Sequence, residues 1–217
     1  MNVTDAVAAR KSIRVFLDQP VETQLLRELL DKAARAPSGG NLQPWRVFVI
    51  TAESMPGFLT HCEKAGFQSE PEYQIYPAGL KSPYRDSRFK VGEDMYALLG
   101  IPRDDKAARL ANLARNFTFF GAPVGFFCCI DRDMGPPQWS DLGMFLQSFM
   151  LLAAEAGLAT CAQEAWATRS EAVQSYLGYG AELMLFCGMA VGYADPDARV
   201  NSLVSDRAPL EQWARFF

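Results

Sequence analysis

The sequence predicts one α+β domain, and three observations carry that prediction. Two nearly continuous apolar runs, APVGFFCCI from Ala122 to Ile130 and LMLFCGMAVGYAD from Leu183 to Asp195, read as strands, the first of them covered on both faces. Segments with apolar residues at helical spacing outnumber them, most clearly SDLGMFLQSFMLLAAEAGL from Ser140 to Leu158. The order lacks a regular strand–helix alternation, which leaves few strands among much helix.

Taken in order, TDAVAARKS is a short helix capped at Thr4 and ending near Lys11. In SIRVF the side chains alternate, which sets Ser12 and Arg14 on one face of an extended segment with Arg10 nearby. ETQLLRELLDKAARA places Leu25, Leu26, Leu29, Leu30 and Ala33 on a helical stripe, and Pro37 stops it. PSGGNLQP is a loop by composition, and WRVFVIT is a strand bounded by Pro44 and Thr51. SMPGFLTHCEKAG is a further helix. From Phe67 to about Lys106 the composition shifts to Pro, Tyr, Gly and mixed charge, without a run of core residues of its own. We read residues 1–217 as a single domain and 67–106 as a lid-like or substrate-access excursion within it. A helix through KAARLANLARNF leads into the first apolar strand. The long segment after it, capped at Ser140 or Asp141 and ended by Gly157, is apolar on most sides, as a core or dimer-interface helix is. ATCAQEAWA follows, then the helix SEAVQSYLG with Gly178 at its end. In the last strand Gly188 and Gly192 permit close approach of backbone or ligand.

Composition narrows the function. A net charge of -4 argues against a nucleic-acid partner, since such domains carry a broad basic surface. No leader pattern opens the sequence and no apolar run reaches the length of a membrane span, so no membrane partner and a cytoplasmic location are expected. Cys62, Cys128, Cys129, Cys161 and Cys187 form no CxxC pair, and their odd number suits reduced, buried thiols. His61 is the only histidine, and FLTHCEKAG sets it on the polar, solvated side of a helix. That removes the usual triads and argues against a metal site, so chemistry must come from carboxylates, backbone or a bound cofactor.

Arg10, Lys11 and Arg14 surround Ser12, an unusual concentration of cations for an acidic chain. Guanidinium forks and a hydroxyl suit a phosphate, and cations at a helix C-terminus also complement its dipole. The segment by itself admits both readings. SDRAPL, Ser205 to Leu210, brings a second arginine to the same anion or forms a solvated turn. In APSGGNLQPW, Gly39 and Gly40 free the backbone while Ser38, Asn41 and Gln43 offer donors and acceptors. Such a loop suits a polyhydroxylated chain or a heterocycle, and is also an ordinary connection.

Five segments in order, RKSIRVF, APSGGNLQPWRVFVI, GLATCAQEAWA, GMAVGYAD and RAPLEQW, spread over nearly the whole chain and resemble the nitroreductase family of FMN-dependent oxidoreductases. YPAGLKSPY and FFGAPVGFF are most similar to its nitrobenzoate-reductase branch. The resemblance implies a nitroreductase-like α+β fold, with a central, mostly antiparallel sheet flanked by helices. It further implies a homodimer with bound FMN, NAD(P)H as electron donor, ping-pong kinetics, and a nitroaromatic or quinone-like substrate taken from nitro through nitroso to hydroxylamino. No side chain is then catalytic in its own right.

Residue by residue, the resemblance gives Arg10, Ser12 and Arg207 to the phosphate and lets Lys11 touch the cofactor. Arg14 falls near the pyrimidine edge, where it stabilises the charge of the reduced flavin. Pro37, Ser38, Asn41 and Gln43 match a loop that packs on the ring and ribityl chain, normally across from the partner subunit. Gln163, Glu164 and Ala165 match the segment against one ring face, with a backbone N–H directed at N5. Asn116 is assigned to the pyrimidine edge. Phe119 and Phe120 are placed at the substrate-pocket mouth, with core packing as the alternative; Trp45, Trp139 and Trp166 read as core or interface anchors. Two positions depart from the pattern: Ser205 stands where relatives often carry lysine, leaving Arg10 more to do, and Ala162 where many carry proline. Other readings on the same residues are a quinone, enone or dehalogenating reductase, a flavin carrier without turnover, and a cofactor-free phosphate-binding scaffold.

Overall fold

The structure, a computed structural model, covers residues 1–217. Its helices are α1 (Val3–Ala9), α2 (Thr23–Ala33), α3 (Met55–Ala65), α4 (Tyr84–Leu99), α5 (Lys106–Ala114), α6 (Pro136–Glu155), α7 (Ser170–Leu177) and α8 (Leu210–Trp213). The strands are β1 (Arg46–Ile50), β2 (Val124–Asp131), β3 (Ala159–Gln163) and β4 (Leu183–Gly192), joined in the order β1-β2-β4-β3, every pair antiparallel. No helix is long and apolar enough to cross a membrane.

β2 is buried along nearly its whole length because both faces are covered. Alternation divides it between two cores. Phe127 and Cys129 pack with Phe58, Trp166 and Val173, beside α3 and α7, whereas Phe126, Cys128 and Ile130 pack with Leu26, Leu29, Phe145 and Phe149 of α2 and α6. β4 should divide the same way, but its phase changes midway. Met184 and the later Cys187, Met189 and Val191 all enter the α6 layer. The cause is a bulge: Cys128 pairs with Cys187 and Cys129 with Leu185, which leaves Phe186 without an opposite residue. Phe186 stacks near Tyr73, whose hydroxyl donates to the Phe186 carbonyl.

Several sequence expectations are corrected. α1 is capped by Asn2, whose Oδ1 accepts from the Asp5 N–H at 2.9 Å, so Thr4 lies inside the helix. α6 begins at Pro136, not at Ser140 or Asp141; the Pro136–Pro137 pair has φ preset for a first turn, and Gln138 Oε1 accepts from the Gly135 N–H at 3.2 Å. ATCAQ is an edge strand that its mixed polarity concealed. His61 is half-buried rather than solvated, its Nε2 2.8 Å from Ser175 Oγ and its ring beside Tyr176.

Phe119 does not stand at a pocket mouth. It and Phe120 have left-handed φ values of 48° and 56°, a turn that drives the Phe119 ring into the core against Phe58, Phe127 and Trp166. Gly125 and Gly188 make the room: a Cβ at the first would land on Phe119 and at the second on Trp166. The close approach expected at Gly188 is therefore made by an indole. All five cysteines are free and buried, and burial pushes the Cys62 and Cys161 thiols up to about 11 and Cys129 to about 12. Of the 67–106 stretch, the first part straps the 3-10 turn that follows β3, with Gln68 and Glu72 N–H groups donating to the Thr168 and Ala167 carbonyls at 3.3 and 2.8 Å. The second part is α4, which has no buried residue.

Candidate active site

The N-terminal cations owe their position to one buried side chain. Ile13 N–H donates to the Thr160 carbonyl of β3 at 3.0 Å, which lays residues 12–13 on the sheet edge. The next two N–H groups, of Arg14 and Val15, both donate to Asn201 Oδ1 at 3.0 and 3.2 Å, and Asn201 Nδ2 donates back to the carbonyls of Val15 and Asp195 at 2.8 and 2.9 Å. This pins the start of the chain to the stretch that carries Ser205 and Arg207. A cleft of about 500 Å³ results, with Arg10, Lys11, Ser12 and Arg14 on one side and Ser205 and Arg207 on the other.

None of those four cations joins an ion pair. The neighbouring acid, Asp206, is held by Lys90 at 2.9 Å. Arg207 Nη1 instead donates to the carbonyl and hydroxyl of Ser205 at 3.0 and 2.8 Å, and Arg14 Nη1 to the Ser12 carbonyl at 3.1 Å. The serine at 205 thus orients the remaining arginine. Clustered cations without counter-charges are stable only at a cost that an anion removes.

A second cleft, of about 490 Å³, shares Arg14 and Val91 with the first. Asn116, Phe120, Cys161 and Ala162 form its inner wall and Tyr76, Phe89 and Tyr96 part of its outer one. Arg115 supports the junction, donating to the Arg14 carbonyl at 2.9 Å, and its burial lowers its pKa. Gln163 is 2% exposed and its Nε2 donates to the Asn116 carbonyl at 2.7 Å and to Asn116 Oδ1 at 3.3 Å. Its Oε1 has no partner. A slot with aromatic walls that opens onto unpaired cations fits a planar heterocycle that carries a phosphate.

Other expected site residues stand apart in a single chain. Pro37, Asn41 and Gln43 are exposed and, with Ser38, line neither cleft. Their loop is shaped internally: Gln43 N–H donates to Ser38 Oγ at 3.0 Å, and the Gly39 N–H meets the Asp141 carboxylate at 3.2 Å. Glu164 and Ala165 follow the end of β3, outside both linings. Asn201, Arg115 and Val91 were not foreseen, and nothing in DPDARVNSL singles out the asparagine.

The Glu164 carboxyl is pushed above the usual range by desolvation, although much of the residue is exposed. A folded-state pKa above the unfolded one means stability is lost as pH rises through that interval and stays lost above it. Glu164→Gln should therefore raise Tm at pH 7 and leave it nearly unchanged at pH 4, which paired thermal melts would check.

An all-antiparallel α+β frame with an anion cleft running into an aromatic slot suits a protein that holds a planar, phosphate-bearing cofactor. The chain belongs to the nitroreductase family, whose model matches residues 7–193. It is 36% identical to a 4-nitrobenzoate reductase of Pseudomonas putida, over 97% of this chain and 93% of that protein. It is 34% identical to a nitrobenzene nitroreductase of Ectopseudomonas oleovorans, over 99% and 96%. Among solved structures, the FMN and NADPH-dependent nitroreductase NfnB from sphigopyxis sp. strain HMH superposes with a TM-score of 0.93 at 46% identity, covering 100% of this chain and 99% of that one.

Proposed function

We propose that the chain is an FMN-dependent NAD(P)H nitroreductase that reduces nitroaromatic compounds by ping-pong kinetics, as a homodimer in the cytoplasm. The observation that carries the reading is the set of unpaired cations, Arg10, Lys11, Arg14 and Arg207, opening through Arg14 into the aromatic cleft. Bound there, FMN supplies the two-electron relay from nicotinamide to the nitro group. Arg10, Lys11, Ser12, Ser205 and Arg207 hold the phosphate. Arg14 stands where both clefts meet and offers a fixed positive charge that favours added electrons. Asn116, which lines the aromatic cleft and is buttressed by Gln163, borders the ring edge, and the family resemblance gives the backbone at one ring face to Gln163, Glu164 and Ala165.

Pro37, Ser38, Asn41 and Gln43 line neither cleft of their own chain, which supports their delivery to the cofactor of a second copy. Exposed Met144 on α6 and exposed Trp213, Phe216 and Phe217 at the C-terminus favour the same assembly. Phe120 rather than Phe119 borders the substrate, and α4, which no core residue anchors, serves as the access element.

The test is the visible spectrum of the purified protein with FMN, before and after NADH or NADPH under nitrogen. Bleaching, then recovery on adding a nitroarene, is expected; a protein that binds no FMN overturns the reading. Arg14→Ala should lower the midpoint potential of the bound flavin by about 30–60 mV, the equivalent of one lost charge-assisted contact. Dye equilibration measures it.

A further inference from the structure

The outer wall of the aromatic cleft is α4, and the charge at its N-terminal end is lopsided. From Lys81 to Lys90 the sequence holds Lys81, Arg85, Arg88 and Lys90 against a single acid, Asp86. Most of these charges are spoken for within the chain. Arg85 pairs with Asp86 at 2.9 Å, and Lys90 with Asp94 and Asp206 at 2.6 and 2.9 Å. Glu93, the carboxylate in the lining, is gripped by both terminal nitrogens of Arg109 at 2.6 and 3.1 Å, which holds it ionised and offsets its charge. Lys81 and Arg88 take part in no ion pair, but only Arg88 lines the cleft, its guanidinium over the Tyr76 ring, 4.0 Å from the centroid. Tyr76, Phe89, Tyr96 and Phe120 line the cleft with it.

A guanidinium stacked on a ring is held flat while its N–H edge stays free, the geometry that receives a carboxylate through two parallel hydrogen bonds. We propose that the Arg88–Tyr76 pair is the charge selector of this cleft, and that the acceptor it favours is an aromatic ring bearing an anionic substituent, a carboxylate above all. The aromatic side chains take the ring and Arg88 takes the anion. This rests on the proposed nitroreductase reading and names its substrate class. Phosphate groups of the nicotinamide donor present the same chemistry, so the experiment separates the two sources.

FMN-loaded wild type, Arg88→Gln and Arg88→Lys are titrated calorimetrically with benzoate, benzamide and adenosine 2′,5′-bisphosphate, none of which can be reduced. Wild type should bind benzoate about tenfold more tightly than benzamide, as one partly exposed charge-assisted contact allows. Arg88→Gln should abolish that preference and Arg88→Lys keep part of it. In turnover, kcat/KM for 4-nitrobenzoate should fall about tenfold in Arg88→Gln while that for nitrobenzene stays within about twofold. Equal benzoate binding in all three proteins overturns the proposal, as does a loss confined to the bisphosphate, which would give Arg88 to the nucleotide. If wild type reduces neither nitroarene yet the benzoate preference still tracks Arg88, the selector stands and the nitroreductase reading fails.

Discussion

Alanine at both Arg10 and Arg207 should yield a folded protein that no longer keeps FMN, with its dissociation constant raised by about a hundredfold or more. The two guanidinium groups stand on opposite sides of the same cleft, one following α1 and the other near the C-terminus. Neither has an acidic partner, so neither is engaged in holding the fold, and their removal leaves no buried counter-charge behind. Each charge-assisted contact to a phosphate is worth about 1.5–3 kcal/mol, and the low end applies because both residues are partly or largely exposed. Two such contacts give the hundredfold. Quenching of FMN fluorescence on titration measures the constant, and thermal melts of the apoproteins should show no loss of stability in the variant, since two mutually repelling charges are removed. A change within threefold would move the phosphate elsewhere. The remaining affinity should also depend less on salt than that of wild type.

The largest effect on stability should come from Trp166→Ala, about 3–5 kcal/mol. The indole is fully buried, with Phe58, Phe117, Phe119 and Phe127 at centroid distances of 4.9 to 5.5 Å. Few substitutions in the chain would open a larger void. Its neighbour supplies a sharper test. A methyl group at Gly188 would collide with the indole, so Gly188→Ala alone should cost about 1–3 kcal/mol by overpacking. In the Trp166→Ala background the same methyl enters the void, and the double variant should be more stable than the sum of the single losses predicts. Chemical denaturation of the four proteins gives the coupling directly. Additive losses would mean that Gly188 and Trp166 do not share one space.

The site was legible where its residues lie close together in sequence. Arg10, Ser12 and Arg14 announce themselves as cations around a hydroxyl, and the structure brings Ser205 and Arg207 across from them. The pin that makes this happen was hidden, because Asn201 bonds to residues nearly the whole chain away and asparagine near a turn is commonplace. The buried strands were legible because uninterrupted apolar runs have few other uses, whereas β3, short and mixed in polarity, gave no period to read. The start of α6 was set by two prolines, and Ser140 and Asp141 only looked like caps. Phe119 and Phe120 are adjacent and alike in composition and both are buried at a left-handed turn, yet only Phe120 also lines the cleft. The bulge at Phe186 likewise inverts the facing of later β4 residues without changing their hydrophobicity. Chain geometry, rather than residue type, decided each of these.

Asn201 also fixes a timetable. Its hydrogen bonds to residues 14 and 15 span 186 and 187 positions, so the segment bearing Arg10 and Ser12 emerges from the ribosome long before the side chain that fastens it. Until then the cations have a sheet edge to lie on only once β3 has been made, and no opposite wall at all. Cofactor capture therefore belongs to the finished chain. A nascent protein arrested before residue 195 carries the recognition segment but cannot close it, whatever concentration of FMN surrounds it.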